Sequence, residues 1–159
     1  MTESGDADLL RRAVALAQTS RDNGNHPFGA LLVDREGTVV LEAQNTVVTE
    51  RDATGHAETN LVRLASSRYD RTDLADMTMY TSTEPCAMCS GAVYWSGIGT
   101  VVYAFSETDL ASLTGPDAEN PTMTLPCRYV FAAGQRPTAV RGPFDLPEAA
   151  AVHDGFWTT

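Results

Sequence analysis

Two short segments constrain this chain more than anything else in it. They are His56-Ala57-Glu58 and Pro85-Cys86-Ala87-Met88-Cys89, each placed where a helix should begin. Cys86 and Cys89 lie three residues apart, so both sulfurs leave one face of a first helical turn. Free N–H groups and the positive end of the helix dipole favour thiolates there, the form that binds metal. A structural zinc site takes four protein ligands, whereas a catalytic one takes three and keeps a position for water. His56, Cys86 and Cys89 make three. Glu58 then stands beside the open position, suited to carry a proton between water and a substrate. Each fragment alone has a plainer explanation. A Cys-x-x-Cys pair can be a redox couple, but here Pro85 precedes the pair instead of lying inside it. A His-x-Glu is often a solvated helix start. Found together, each after helix-start signals, the two segments predict one catalytic Zn²⁺ per chain.

The chain has 159 residues, 43% hydrophobic and 20% charged, enough for a single domain over 1–159 that buries roughly 70% of its unfolded surface. Residues 1–5 are expected to form a flexible leader, and about 126–159 a C-terminal segment. No apolar run reaches the ~18 residues of a membrane helix. The opening Met1-Thr2-Glu3-Ser4-Gly5-Asp6 is acidic and polar, unlike a secretory signal, which predicts a cytoplasmic protein. Three cysteines, an odd number, make a poor disulfide framework. Eleven arginines and no lysine face 21 Asp and Glu, for a net charge of −10. Nucleic-acid binding usually leaves a basic footprint. A small-molecule partner is therefore expected, with neither nucleic acid nor membrane.

Leu9, Leu10, Ala13, Val14, Leu16 and Ala17 recur at helical spacing, with Asp6 or Asp8 as cap. Residues 28–33 and 38–45 read as two strands of a hairpin around Asp34-Arg35-Glu36-Gly37. A loop over 51–55 supplies capping side chains to a helix running from His56 to near Arg68. A strand over 77–81 precedes a helix that starts at Pro85 and ends near Ser96, broken by Gly97 and Gly99. Then come a strand over 100–105, a short helix over 109–113, a loop over 115–126 and a closing helix over 147–157. Either 129–133 or 138–141 supplies a fifth strand. This order is that of a three-layer α/β/α domain around a central five-stranded mixed sheet.

His-x-Glu followed by Pro-Cys-x-x-Cys resembles the signature of the zinc-dependent cytidine/deoxycytidylate deaminase superfamily. The resemblance runs from the first helix to about Leu113 and implies a cytidine deaminase-like fold. Within the superfamily, His26-Pro-Phe-Gly-Ala30, Gln44-Asn45, Ala57, Gly91-Ala-Val-Tyr-Trp95 and Ser106-Glu-Thr-Asp109 look like bacterial guanine deaminase. That likeness implies hydrolysis of guanine to xanthine and ammonia, with Glu58 moving the proton. It further implies that Asn45 and Asp109 hold the base, that Phe28 stacks on it, and that Ala57 lies against it. It also implies a homodimer in which the C-terminal segment covers, and can be exchanged into, the partner's site. The chain ends without the terminal Tyr of that family.

Two other deaminase readings compete. In a cytosine deaminase, Trp157 and Asp154 on the last helix would cover a smaller base. A tRNA adenosine deaminase would carry a basic last helix, whereas this one has Glu148 and Asp154 and no Arg. A different class altogether is an inert zinc-bearing interaction module, which would have no use for Glu58. The remaining residues receive ordinary roles: His26 a surface or hydrogen-bonding loop residue, His153 structural or partly exposed, Cys127 apolar filler, Arg63, Arg68 and Arg71 a solvated face, and Trp95 a core-packing or dimer contact.

Overall fold

A computed structural model describes residues 3–118 and 120–157. Its sheet has five strands: β1 (Gly29–Val33), β2 (Val39–Gln44), β3 (Thr78–Thr83), β4 (Thr100–Phe105) and β5 (Ala139–Arg141). Their order is β2-β1-β3-β4-β5. β1 runs antiparallel to both β2 and β3, while β3, β4 and β5 are mutually parallel. The sheet is therefore mixed, and the fold is the cytidine deaminase-like α/β architecture. Of the two segments offered for the fifth strand, 138–141 holds it.

Side chains alternate across a strand, and both faces of this sheet are covered. Ala30, Leu32, Met79 and Val101 point to one core, shared with Leu61 of α3 (Ala57–Ser66) and Val93 of α5 (Ala87–Ser96). Leu31, Val33, Tyr80 and Val102 point to the other, shared with Leu10 and Ala13 of α1 (Glu3–Asp22). Because β1 is buried along its whole length, it reads as a continuous apolar run. Gly29 is where α1 crosses most closely. A Cβ there would stand 2.4 Å from the Ala13 carbonyl oxygen, so no larger residue fits without moving the helix.

Helix α1 starts earlier than the sequence suggests. Glu3–Gly5 already belong to it, so the expected leader does not extend that far, and residues 1–2 lie outside the described ones. Asp6 and Asp8 consequently sit inside the helix and do not cap it. Asp6 is buried and accepts hydrogen bonds from Tyr80 Oη (2.6 Å) and Arg141 Nη1 (2.5 Å), tying α1 to β3 and β5. The 51–55 loop does not cap α3 either. Its Asp52 accepts from Thr54 within the loop, and His56 forms the N-cap without a side-chain bond.

Two short helices, α2 (Val47–Glu50) and α4 (Arg71–Ala75), were not legible, and α6 spans Glu107–Thr114. Residues 127–132 form α7 (Cys127–Ala132) instead of a strand. The closing helix is shorter than expected: α8 is Pro147–Ala151, and the chain continues in turns to Trp157. α8 packs beside α1, on the opposite side of the sheet from α3 and α5. No helix among the described residues is long and apolar enough to cross a membrane.

Candidate active site

In open α/β sheets, ligand sites gather beyond the carboxyl ends of parallel strands. Here β3 ends at Thr83 and leads through Glu84 and Pro85 into α5. Cys86, in extended conformation, is the N-cap residue of α5, and Cys89 lies in the first turn. The helix thus begins two residues after Pro85. On the neighbouring helix α3, His56 is the N-cap, Ala57 is fully buried and Glu58 follows in the first turn. Neither residue spends its side chain on a capping hydrogen bond, and the imidazole and the thiol lie against each other.

His56 Nδ1 is 3.7 Å from Cys86 Sγ and 3.6 Å from Cys89 Sγ. Tetrahedral zinc with bonds of about 2.0–2.1 Å to nitrogen and about 2.3 Å to sulfur would hold those atoms about 3.5 Å apart. The spacing fits. Among the described residues this trio is the group able to hold a metal ion. Electrostatics point the same way. Hydrogen bonds from Cys89 and His56 pull Cys86 down to about 4, while the shared bond with Cys86, together with burial, pushes Cys89 up. A cation held between them would favour both sulfurs as thiolates.

Glu58 is buried, with Oε2 3.6 Å from Cys89 Sγ, and burial raises its pKa to about 7. It lines a narrow cleft of about 30 Å³ together with His56 and Cys86. Phe28 and Leu110 form apolar walls of this cleft, and Glu84, Glu107 and Asn120 the polar ones. The Glu84 carboxylate accepts from the backbone N–H of Glu107 (3.1 Å) and of Cys127 (2.9 Å). It thereby fastens the starts of α6 and α7 to the loop that carries Cys86.

A family model for the cytidine and deoxycytidylate deaminase zinc-binding region matches residues 3–105. The chain belongs to that family. This deaminase is 43% identical over 158 residues to a probable cytosine deaminase of Schizosaccharomyces pombe, covering 98% of this chain and 96% of the relative. It is 44% identical over 104 residues to the guanine deaminase of Bacillus subtilis, covering 65% and 66%. Among solved structures, a guanine deaminase of Nitrosomonas europaea superposes with a TM-score of 0.75 at 28% identity, covering 91% of this chain and 80% of the other.

The expected base-binding residues of the deaminase fare differently. Phe28 lines the cleft. Asn45 is buried, its Oδ1 accepting from Val47 N (3.0 Å) while Nδ2 has no partner among the described residues. Trp157 is buried behind Phe28, 6.1 Å between ring centroids, and its Nε1 donates to His153 Nδ1 (3.1 Å). The structure does not bring Asp109 to the cleft. It is exposed, bonded to Ser106 at the start of α6, and faces a separate hollow beside Phe144. Asp154 is exposed too. Glu84, Glu107, Leu110 and Asn120 escaped the sequence reading. The acidic Ser106-Glu107-Thr108-Asp109 stretch did carry a signal, but it could not say which acid turns inward.

His26 and His153 are buried in the aromatic cluster around Trp157, and Cys127 is buried in the α3/α5 core. Trp95 is 74% exposed, which removes the core-packing role considered for it.

Proposed function

We propose that the protein hydrolytically deaminates a free nucleobase. The observation that carries this is Glu58, a buried acid at the rim of a His/Cys/Cys donor set that matches tetrahedral zinc. His56 Nδ1, Cys86 Sγ and Cys89 Sγ would hold the metal, one per chain. Zinc, when bound, supplies a Lewis acid that lowers the pKa of a held water to about 7. Glu58 takes the water proton and delivers it to the ring nitrogen beside the amino-bearing carbon. The water oxygen bonds to that carbon, the C–N bond breaks, and Glu58 passes a proton to the amine, which leaves as ammonia. Phe28 stacks on the base, Ala57 packs against it, and the free Nδ2 of Asn45 donates to one of its acceptors. Trp157 backs Phe28 and closes the site from the tail.

Cytosine is the base the chain as a whole favours. The relative described as a probable cytosine deaminase matches nearly end to end, tail included. Asp109, on which a guanine preference leaned, lies on the surface. Guanine is the second reading, supported by the Asn45 position and by the likeness to guanine deaminases in sequence and fold. A net charge of −10 argues for a small molecule over tRNA.

The test is ammonia release from cytosine, guanine, adenine and their nucleosides by the zinc-loaded protein. Cytosine ahead by tenfold or more is the expected result. Guanine ahead by that margin would select the second reading. One zinc per chain with no ammonia from any base would mean an inert module.

A further inference from the structure

Glu107 is the one acid of the cleft whose role the zinc chemistry leaves unaccounted for. It is the first residue of α6 and only 4% exposed, and it lines the same cleft as His56, Glu58 and Cys86. Its backbone N–H is taken by Glu84. Its own carboxylate makes no hydrogen bond or ion pair to any described residue, in contrast to Glu84, whose two oxygens are both occupied. A buried carboxylate without donors is costly to a fold. Among the described residues no donor satisfies that of Glu107, which leaves it open to a donor on a bound ligand.

We infer that Glu107 is the specificity-determining acceptor of the site, taking a hydrogen bond from a ring N–H of the base. The inference rests on the free-base reading above and sharpens it. A carboxylate offers only acceptors when ionised. It therefore selects bases that present an N–H at that edge, and rejects those in which the nitrogen carries a methyl group or a sugar. Sites built around such a bond reject the analogue lacking it by about 10⁴, because the buried partner is left unpaired. Held by Glu84 at the start of α6, Glu107 is a substrate-contacting residue with a fixed backbone.

The experiment compares the zinc-loaded wild type with Glu107→Leu, which has similar bulk and no acceptor, and with Glu107→Gln, which keeps one. For the preferred base and its ring-N-methylated analogues (1-methylcytosine, or 1- and 9-methylguanine), kcat and KM are measured separately. The wild type should prefer the parent base over at least one analogue by about 100-fold or more. Glu107→Leu should lose about 100-fold in kcat/KM on the parent base, mainly through KM, and bring that ratio within about fivefold, with Glu107→Gln between the two. Freed of an unpaired carboxylate, Glu107→Leu should also melt at a higher temperature than the wild type. Wild-type turnover of every methylated analogue at the parent rate would overturn the inference without using any variant. So would an unchanged ratio in Glu107→Leu. A wild type that releases no ammonia from any base would instead sink the free-base reading, and this inference with it.

Discussion

At the scale of single residues, the proposed mechanism divides the site into three groups that would hold the metal and one, Glu58, that would move protons. Glu58→Gln keeps the shape and an acceptor but cannot shuttle a proton. It should retain one zinc per chain by elemental analysis and lose about 10³-fold or more in turnover; near-normal ammonia release from the zinc-loaded variant would refute the assignment. His153 makes a prediction about stability. It is buried among Phe28, Phe105 and Trp157, with the Arg21 guanidinium nearby, and burial first and Arg21 second push its pKa down to about 4. Unfolded, it would titrate near 6.5. Its neutral form therefore favours the folded state in full above pH 6.5, and that contribution drains away as pH falls toward 4, by about 3 kcal/mol. Urea unfolding at pH 7 and pH 5 should show a wider gap for the wild type than for His153→Gln; equal gaps would remove His153 from the account. The metal trio and Glu58 were legible because their chemistry is fixed by residue type and spacing. Glu107 was not, since telling it from Asp109 requires the rotation of α6 about its axis.

At the scale of elements, what was legible followed local signals, and what was missed was set by distant ones. β4 fell on its predicted residues because an apolar, β-branched run is bounded by Gly99 and Ser106. α2 is built from Val47, Val48 and Thr49, residues that favour strands. Its first turn is stabilised from outside: Asn25 Oδ1 accepts from Val48 N, Thr49 N and Thr49 Oγ1. No window around residue 47 contains that information. α7 has the same explanation, with strand-like Tyr129, Val130 and Phe131 turned into helix by the buried Cys127 and Phe131 and by Glu84 at its first N–H. Glu84 thus serves two helices at once. Glu84→Gln places an amide donor against one of two backbone donors, and should cost about 2–3 kcal/mol in chemical unfolding. A loss below 0.5 kcal/mol would show that the latch does not hold α6 and α7. Asp6 works likewise on the opposite face. Asp6→Ala removes the hydrogen bond from the buried Tyr80 hydroxyl and the ion pair of Arg141, an expected loss of about 2–4 kcal/mol in the same measurement.

At the scale of the whole molecule, the chain packs Phe156 and Trp157 of its own tail behind Phe28, and still leaves Trp95, Met88 and Tyr129 of α5 and α7 exposed. Large exposed side chains of this kind mark contact surfaces. We propose that a homodimer forms across this face. Trp95→Arg should convert a dimer to a monomer in light scattering at micromolar concentration, with the circular dichroism spectrum unchanged; a wild type that is already monomeric would dismiss the interface. The strand order carries a last consequence, for the route by which the chain folds. His56 arrives on the connection from β2 to β3, and the two cysteines on the connection from β3 to β4. Their donor atoms meet only after β3 has been inserted between β1 and β4, in pairings such as Ala30 with Thr81. Contacts that form after the rate-limiting barrier govern escape from the native state and leave the approach to it untouched. Zinc should therefore slow unfolding while refolding proceeds at the same speed with the ion or with a chelator.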